Sequence, residues 1–221
     1  MRFKCVVFDL DGTLVNTLAD IALAMNTALC ERGFPELPGE EYTAIVGNGI
    51  RHLAYSALPE EKRDEKTVEE LATRAGQLYA ERPVVHSKIY PGIQALLFEL
   101  GKLRVRTAVL TNKPDPVARL VIDRLFPAGT FEAVQGELPG VPRKPDPAST
   151  WELLMKLDVT PRETIFAGDS EVDLETAVAA ECSPLLVSWG FRSREALEKT
   201  GASRIIDRPE ELLALIREIR M

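Results

Sequence analysis

The sequence of 221 residues predicts an α/β protein: a doubly wound parallel sheet with an all-helical domain inserted after the first strand. Short apolar runs without polar alternation recur along the chain, as strands buried on both faces require. Amphipathic helical patterns separate them, the arrangement that covers a parallel sheet on two sides. From about residue 16 to residue 86 the alternation stops and only helical patterns remain. Residues 1–15 and 87–221 are therefore expected to form the α/β core, and 16–86 the helical insertion.

Cys5-Val6-Val7-Phe8 reads as the first strand, closed by Asp9-Leu10-Asp11-Gly12, where Gly12 permits a sharp turn out of the sheet. Leu18, Ile21, Ala22, Met25, Ala28 and Leu29 fall at steps of three and four, a helix that ends at Gly33. After the loop Leu37-Pro38-Gly39, helical pattern returns at Leu53 to Leu58 and at Val68 to Leu78. Asn16-Thr17 and Pro83 to Lys88 read as two hinge strands. Glu60 to Glu70 carries charge of both signs and reads as a solvated helix face. Beyond the insertion, strands are expected at Val105 to Leu110, Ile165 to Ala167 and Leu185 to Val187, with a weaker one at Arg204 to Ile206. Helices are expected at Ile93 to Leu103, Pro116 to Leu125, Pro147 to Leu157, Val172 to Ala180 and Pro209 to Ile219.

Lys plus Arg number 27 and Asp plus Glu 34, a net charge of −7 that offers nothing to DNA, RNA or an acidic membrane. An anionic small molecule stays open, because a local positive site can hide in an acidic whole. Cys5, Cys30 and Cys182 are odd in number and far apart, which suits reduced thiols rather than disulfides or a zinc site. The apolar run before Asp9 is too short for a secretory signal, and no stretch reaches the length of a membrane span. The expectation is a soluble, cytoplasmic protein, monomer or homodimer.

Four polar clusters follow predicted strands, at the edge where open α/β sheets bind ligands. Asp9-Leu10-Asp11-Gly12-Thr13 sets two carboxylates at i and i+2 behind a buried strand, so something must neutralise them. Leu110-Thr111-Asn112-Lys113 offers a hydroxyl and the N–H groups of a helix start, an oxyanion or phosphate site; by itself it also reads as an ordinary turn. Arg143-Lys144-Pro145-Asp146-Pro147 brings a lysine suited to phosphate, or, taken singly, a surface lysine before a helix. Gly168-Asp169-Ser170-Glu171-Val172-Asp173 adds a second carboxylate pair. Asp169 could share a hard cation with Asp9, and an oxygen-only set without His or Cys points to Mg²⁺ rather than zinc. Asp173 reads equally as a helix cap or as a group behind the metal or Lys144.

Together, DxDGT, a Thr after a strand, Lys-Pro and GDSxxD resemble the signature of the haloacid dehalogenase-like hydrolases over essentially the whole chain. The resemblance implies a Rossmann-like core, a small α-helical cap in the insertion, and phosphatase rather than dehalogenase chemistry, since dehalogenases lack the second Asp. It further implies Asp9 as the nucleophile that forms an aspartyl-phosphate and Asp11 as the general acid and base. Thr111 and Asn112 would hold the phosphoryl oxygens and Lys144 would balance charge. Asp9, Asp169 and the carbonyl of Asp11 would bind Mg²⁺, supported by Thr13, Ser170 and Asp173. With Asp11 protonated, the three remaining carboxylates match the three positive charges of Mg²⁺ and Lys144, so a phosphate dianion approaches without net repulsion.

The Gly-rich stretch Val46-Gly47-Asn48-Gly49-Ile50-Arg51 resembles the substrate-specificity loop of bacterial phosphoglycolate phosphatases. Thr-Asn-Lys and the turn Trp189-Gly190-Phe191 are similar to the same subfamily. Gly47, Asn48, Gly49 and Arg51 are thus expected to meet substrate, Arg51 through a carboxylate, although an inter-helix turn with a solvated Arg would read the same way. A small phosphorylated metabolite is the expected partner. Two alternatives are a phosphomutase similar to β-phosphoglucomutase and a non-catalytic binder of phosphorylated metabolites.

Overall fold

Side-chain alternation along the first strand sorts the whole core. In the computed structural model, which describes residues 3–218, β1 (Cys5–Phe8) is buried along its entire length. Cys5 and Val7 face one side of the sheet, Val6 and Phe8 the other. The remaining strands are β2 (Val15–Asn16), β3 (Lys88–Ile89), β4 (Arg106–Pro114), β5 (Ala133–Glu137), β6 (Thr164–Gly168), β7 (Ser183–Val187) and β8 (Ile205–Ile206). The helices are α1 (Leu18–Glu31), α2 (Tyr42–Ile45), α3 (Gly49–Ala57), α4 (Glu65–Glu81), α5 (Ile93–Lys102), α6 (Asp115–Leu125), α7 (Ala148–Lys156), α8 (Glu171–Ala179), α9 (Arg194–Lys199) and α10 (Pro209–Glu218).

Six strands form a parallel sheet in the order β5–β4–β1–β6–β7–β8. Leu153 and Leu154 of α7 and Ala177 of α8 cover the Cys5–Val7 face, with Phe166 and Cys182. Leu96 and Leu100 of α5, Val121 of α6 and Ile216 of α10 cover the opposite face. Helices on both faces make the sheet doubly wound, as the continuous apolar runs predict. Cys5 and Cys182 are free and buried, Cys30 free and exposed.

Between β2 and β3 the chain contains only helices. The two short strands pair antiparallel, Val15 with Ile89 and Asn16 with Lys88, so the insertion leaves and re-enters the core through one two-stranded neck. Asp20 on α1 closes that neck: its carboxylate accepts the N–H groups of Val85, His86 and Ser87 and the Ser87 hydroxyl at 2.6–3.1 Å. Burial opposes the charge on Asp20, but these bonds outweigh it and hold its pKa below the usual carboxylate range.

Several elements differ from the expectation. β5 has two apolar residues among five and lies at the sheet edge, where one-sided pairing makes no continuous run necessary. β4 extends to Pro114, with a break in its pairing to β5 between Leu110 and Pro114. Thr111-Asn112-Lys113 therefore belongs to an irregular strand end, not to a helix start. α3 begins at Gly49, earlier than its apolar pattern, and the short α2 and α9 carry too few apolar positions to declare a period. The expected final helix reaches Ile219, which lies outside the described residues.

Candidate active site

The three central strands each deliver one polar cluster to the same edge. Asp9 follows β1, Thr111 lies in the tail of β4, and Asp169 follows β6. Order in the sheet reverses around β1, so this edge is also its switch point. Asp9 continues the ladder by donating its N–H to the Ala167 carbonyl at 2.9 Å, which sets its side chain beside β6.

Lys144, from the loop between β5 and α7, enters this edge from the side. Its Nζ donates to Asp9 Oδ1 at 2.8 Å and to Asp173 Oδ1 at 2.6 Å, all three groups being buried. Burial works against the ammonium, yet Asp173 and Asp9 overcome it and hold its pKa above the ordinary lysine value. Asp173 serves both roles read for it. Its Oδ2 accepts the Ser170 N–H at 3.1 Å and the Ser170 hydroxyl at 2.6 Å, capping α8, while Oδ1 faces Lys144.

Asp169 is held from the first motif and from the 189–191 turn. It accepts the Phe191 N–H at 2.7 Å and the Thr13 hydroxyl at 3.4 Å. Trp189 donates its indole N–H to the Thr13 carbonyl at 3.0 Å, which binds the 189–191 turn to the first motif. Two glycines make room for the carboxylate. A Cβ on Gly12, whose φ is +85°, would stand 2.2 Å from Asp169 Oδ2, and one on Gly190 would stand 2.4 Å from the same atom.

Asp9, Asp169 and Asp173 bring carboxylate oxygens within 4.8 Å of one another. Lys144 supplies the only ammonium bonded to this trio among the described residues, one positive charge against three carboxylates. Burial, with Asp173 and Asp11 nearby, pushes the Asp9 carboxyl up to about 6 despite Lys144. Burial and the neighbouring Asp173 and Asp9 carry Asp169 well above its ordinary value. An all-oxygen, doubly negative, buried set fits a hard divalent cation.

Asp11 takes another direction. Its carboxylate accepts Lys113 Nζ at 3.0 and 3.1 Å and the Thr17 hydroxyl at 2.6 Å. Its side chain is therefore not among the converging metal-type carboxylates, and only its carbonyl remains for such a role. Asp9 and Asp11 both line a cavity of about 70 Å³ between the sheet edge and the insertion, room for roughly five waters. Thr111, Asn112, Lys113, Gly47, Gly49, Ile50 and Tyr79 also line it. Asn112 ties the layers together, its amide donating to the carbonyls of Gly47 at 3.1 Å and Lys144 at 3.0 Å.

The sequence pattern of the haloacid dehalogenase-like hydrolases matches residues 6–187. The chain belongs to that family. A phosphoglycolate phosphatase from Haemophilus influenzae (strain 86-028NP) is 34% identical over 97% of this chain and 99% of its own length. One from Rhodospirillum rubrum is 34% identical over 92% and 87% respectively. A crystal structure from Lactobacillus delbrueckii subsp. bulgaricus, provisionally named phosphoglycolate phosphatase, superposes with a TM-score of 0.88 at 32% identity, covering 96% of this chain and 97% of that one. This member of the haloacid dehalogenase-like hydrolases is an enzyme of the phosphatase kind. Among its described residues no helix is long and apolar enough to cross a membrane.

Two expected cap residues stand apart from the cavity. Arg51 is half-exposed and pairs with Glu65 at 3.1 Å and Glu69 at 3.2 Å on α4. The reason is helical phase: Ile50 and Leu53 turn toward the cavity, and Arg51, one step beyond Ile50, is rotated about 100° away. Asn48 sits at the boundary of α3 and does not line the cavity. Three contributors carried no role in the sequence reading: Lys113, Tyr79 and Arg192. Arg192 donates to the Thr43 carbonyl and, at 3.1 Å, to the Val46 carbonyl, and it pairs with Glu171 at 3.3 Å, fastening the insertion to the core. The similarity of Thr-Asn-Lys to the subfamily pattern was the one signal pointing to Lys113.

Proposed function

We propose that this phosphatase is a Mg²⁺-dependent hydrolase of small phosphomonoesters, with 2-phosphoglycolate its foremost substrate, and that it acts through an aspartyl-phosphate on Asp9. The observation that carries the reading is the cavity onto which Asp9 and Asp11 both open, with Lys144 fixed behind Asp9. The small volume favours a substrate of a few heavy atoms over a nucleotide. Relatives that bear the name phosphoglycolate phosphatase over nearly the full chain support the substrate.

In this mechanism one Asp9 oxygen attacks phosphorus, and Asp11, which must enter this step carrying a proton taken up from solvent, hands it to the departing alcohol oxygen. Asp11 then takes a proton from the water that attacks the aspartyl-phosphate, releasing inorganic phosphate and restoring Asp9. Lys144 offsets charge on Asp9 and on the phosphoryl oxygens, and Thr111 with the Asn112 N–H steadies those oxygens. Asp9, Asp169 and the Asp11 carbonyl would hold Mg²⁺, with Asp173, Thr13 and Ser170 behind them; the ion would supply positive charge against which a phosphate dianion can approach. Residues 16–86 act as a cap, excluding bulk water while the aspartyl-phosphate exists.

Phosphate release with Mg²⁺ from 2-phosphoglycolate, sugar phosphates, mononucleotides and p-nitrophenyl phosphate tests the reading. The expected result is preference for 2-phosphoglycolate, complete loss in Asp9→Asn, and a phosphorylated Asp9 peptide after rapid acid quench. Undiminished release by Asp9→Asn would sink the mechanism. Absence of release from 2-phosphoglycolate would sink the substrate.

A further inference from the structure

The cavity wall has a marked chemical asymmetry. The insertion contributes Ile21, Met25, Val46, Ile50 and Leu53, together with glycines and alanines, and no charged side chain. Among the described residues that line the cavity, Lys113 is the sole cation. It is buried, and its Nζ faces the two oxygens of Asp11 on one side and the ring of Tyr79 on the other, 4.2 Å from the ring centroid. Tyr79 comes from α4 of the insertion, so Lys113 stands where core and insertion meet over the cavity.

Tyr79 brings the only polar side-chain group that the insertion adds to this wall. Its hydroxyl is buried and its hydrogen has no acceptor; the Lys113 ammonium lies over the ring and interacts with the phenolic oxygen as well. A buried hydroxyl hydrogen without an acceptor costs stability unless something fills the place at times, because it has given up water without replacement. Both groups lie beside Asp11, the residue that would serve the leaving alcohol in the proposed function. They therefore border the space for the leaving group rather than for the phosphoryl group.

We infer that Lys113 and Tyr79 form a carboxylate subsite that receives the acid group of a short 2-phospho acid, Lys113 by ion pairing and Tyr79 by donating its hydroxyl hydrogen. Arg51, by contrast, lies on the outer face of α3, engaged with Glu65 and Glu69. The inference rests on the proposed phosphatase reading and adds the residues that select its substrate. An apolar wall elsewhere strengthens the selection, since a carboxylate placed anywhere but beside Lys113 would be desolvated without compensation.

The test compares 2-phosphoglycolate with 2-hydroxyethyl phosphate, which keeps the two-carbon leaving group with one oxygen fewer and lacks its negative charge. The readout is the ratio of kcat/KM for the two substrates, measured in wild type, Lys113→Met and Tyr79→Phe. A hydrogen-bonded charge pair is worth about 10- to 150-fold in binding. The ratio should therefore fall roughly 100-fold in Lys113→Met and about 10-fold in Tyr79→Phe, even where the absolute rates of both substrates drop because Lys113 also meets Asp11. Tyr79→Phe removes one oxygen without changing shape, so it reports even if Lys113→Met folds poorly. A wild-type preference for 2-phosphoglycolate that survives in both variants overturns the subsite and leaves the phosphatase reading standing. Wild-type enzyme inactive on 2-phosphoglycolate overturns the proposed substrate and the subsite together.

Discussion

Lys144 and Asp173 meet in the interior with 2.6 Å between Nζ and Oδ1, and Asp173 is itself locked by Ser170 through its other oxygen. The first turn of α8 thus aims a lysine that comes from a different loop. Asp173→Asn should leave the fold intact and lower kcat about 10- to 100-fold with little change in KM, the usual cost of losing an orienting partner. Lys144→Met should cost more, on the order of 1,000-fold, because it removes charge from the reacting groups themselves. Steady-state kinetics with Mg²⁺ on both variants checks the order; an Asp173→Asn loss confined to KM would contradict it.

In the proposed function, metal and protons would compete for Asp9. Its carboxyl is pushed up to about 6 by burial, so between the ordinary value of 3.8 and about 6 the folded state holds a proton that the unfolded chain has released. The contribution of this group to the stability of the metal-free protein therefore declines as pH rises through that window. In the proposed function Mg²⁺ would bind the charged form and offset the loss. The increase in Tm on adding millimolar Mg²⁺ should be larger at about pH 8 than at about pH 5, measured by differential scanning fluorimetry. An equal increase at both would contradict it.

Removing that charge outright should separate activity from stability. Asp9→Asn is expected to abolish phosphate release and raise the Tm of the metal-free protein by a few degrees near pH 8, since a strained functional charge has gone. A fall in Tm under those conditions would mean that the Lys144 ion pair is worth more than the desolvation of Asp9.

Asp20 is the converse case. Its bonds to the 85–87 backbone lower its pKa, so its contribution is present above the ordinary Asp value and is lost as pH falls through the lowered folded one. Asp20→Ala should cost about 1–3 kcal/mol near neutral pH by orphaning buried N–H groups. Urea titrations should also show a flatter acid limb in the variant than in wild type.

Arg192 fastens the 43–46 stretch of the insertion from the core side. Arg192→Ala should raise KM about tenfold, leave kcat less affected, and speed proteolytic cleavage near residues 82–88. Unchanged KM and unchanged cleavage would mean that the insertion is held by its apolar packing alone.

Much of this fold and site is legible in the sequence because the signals are local. A parallel strand covered on both faces must be a continuous apolar run, which makes β1, β4, β6 and β7 visible, and the carboxylates that close those runs mark the ligand edge. β5 escaped notice because an edge strand needs no such run. What only the tertiary structure decided is partnership. Lys113 is 102 residues from Asp11, and Arg192 is 146 from Val46; no spacing rule joins such residues. Helical phase turned Arg51 outward while Ile50, its neighbour, turned in. Tyr79 lies one residue beyond the helical pattern read from Val68 to Leu78, and its hydroxyl acquires meaning only where α4 comes to rest against Lys113. Local pattern fixes which residues stand at the end of an element, whereas the chemistry of the site depends on which ends meet, and that is set by the packing of the whole chain.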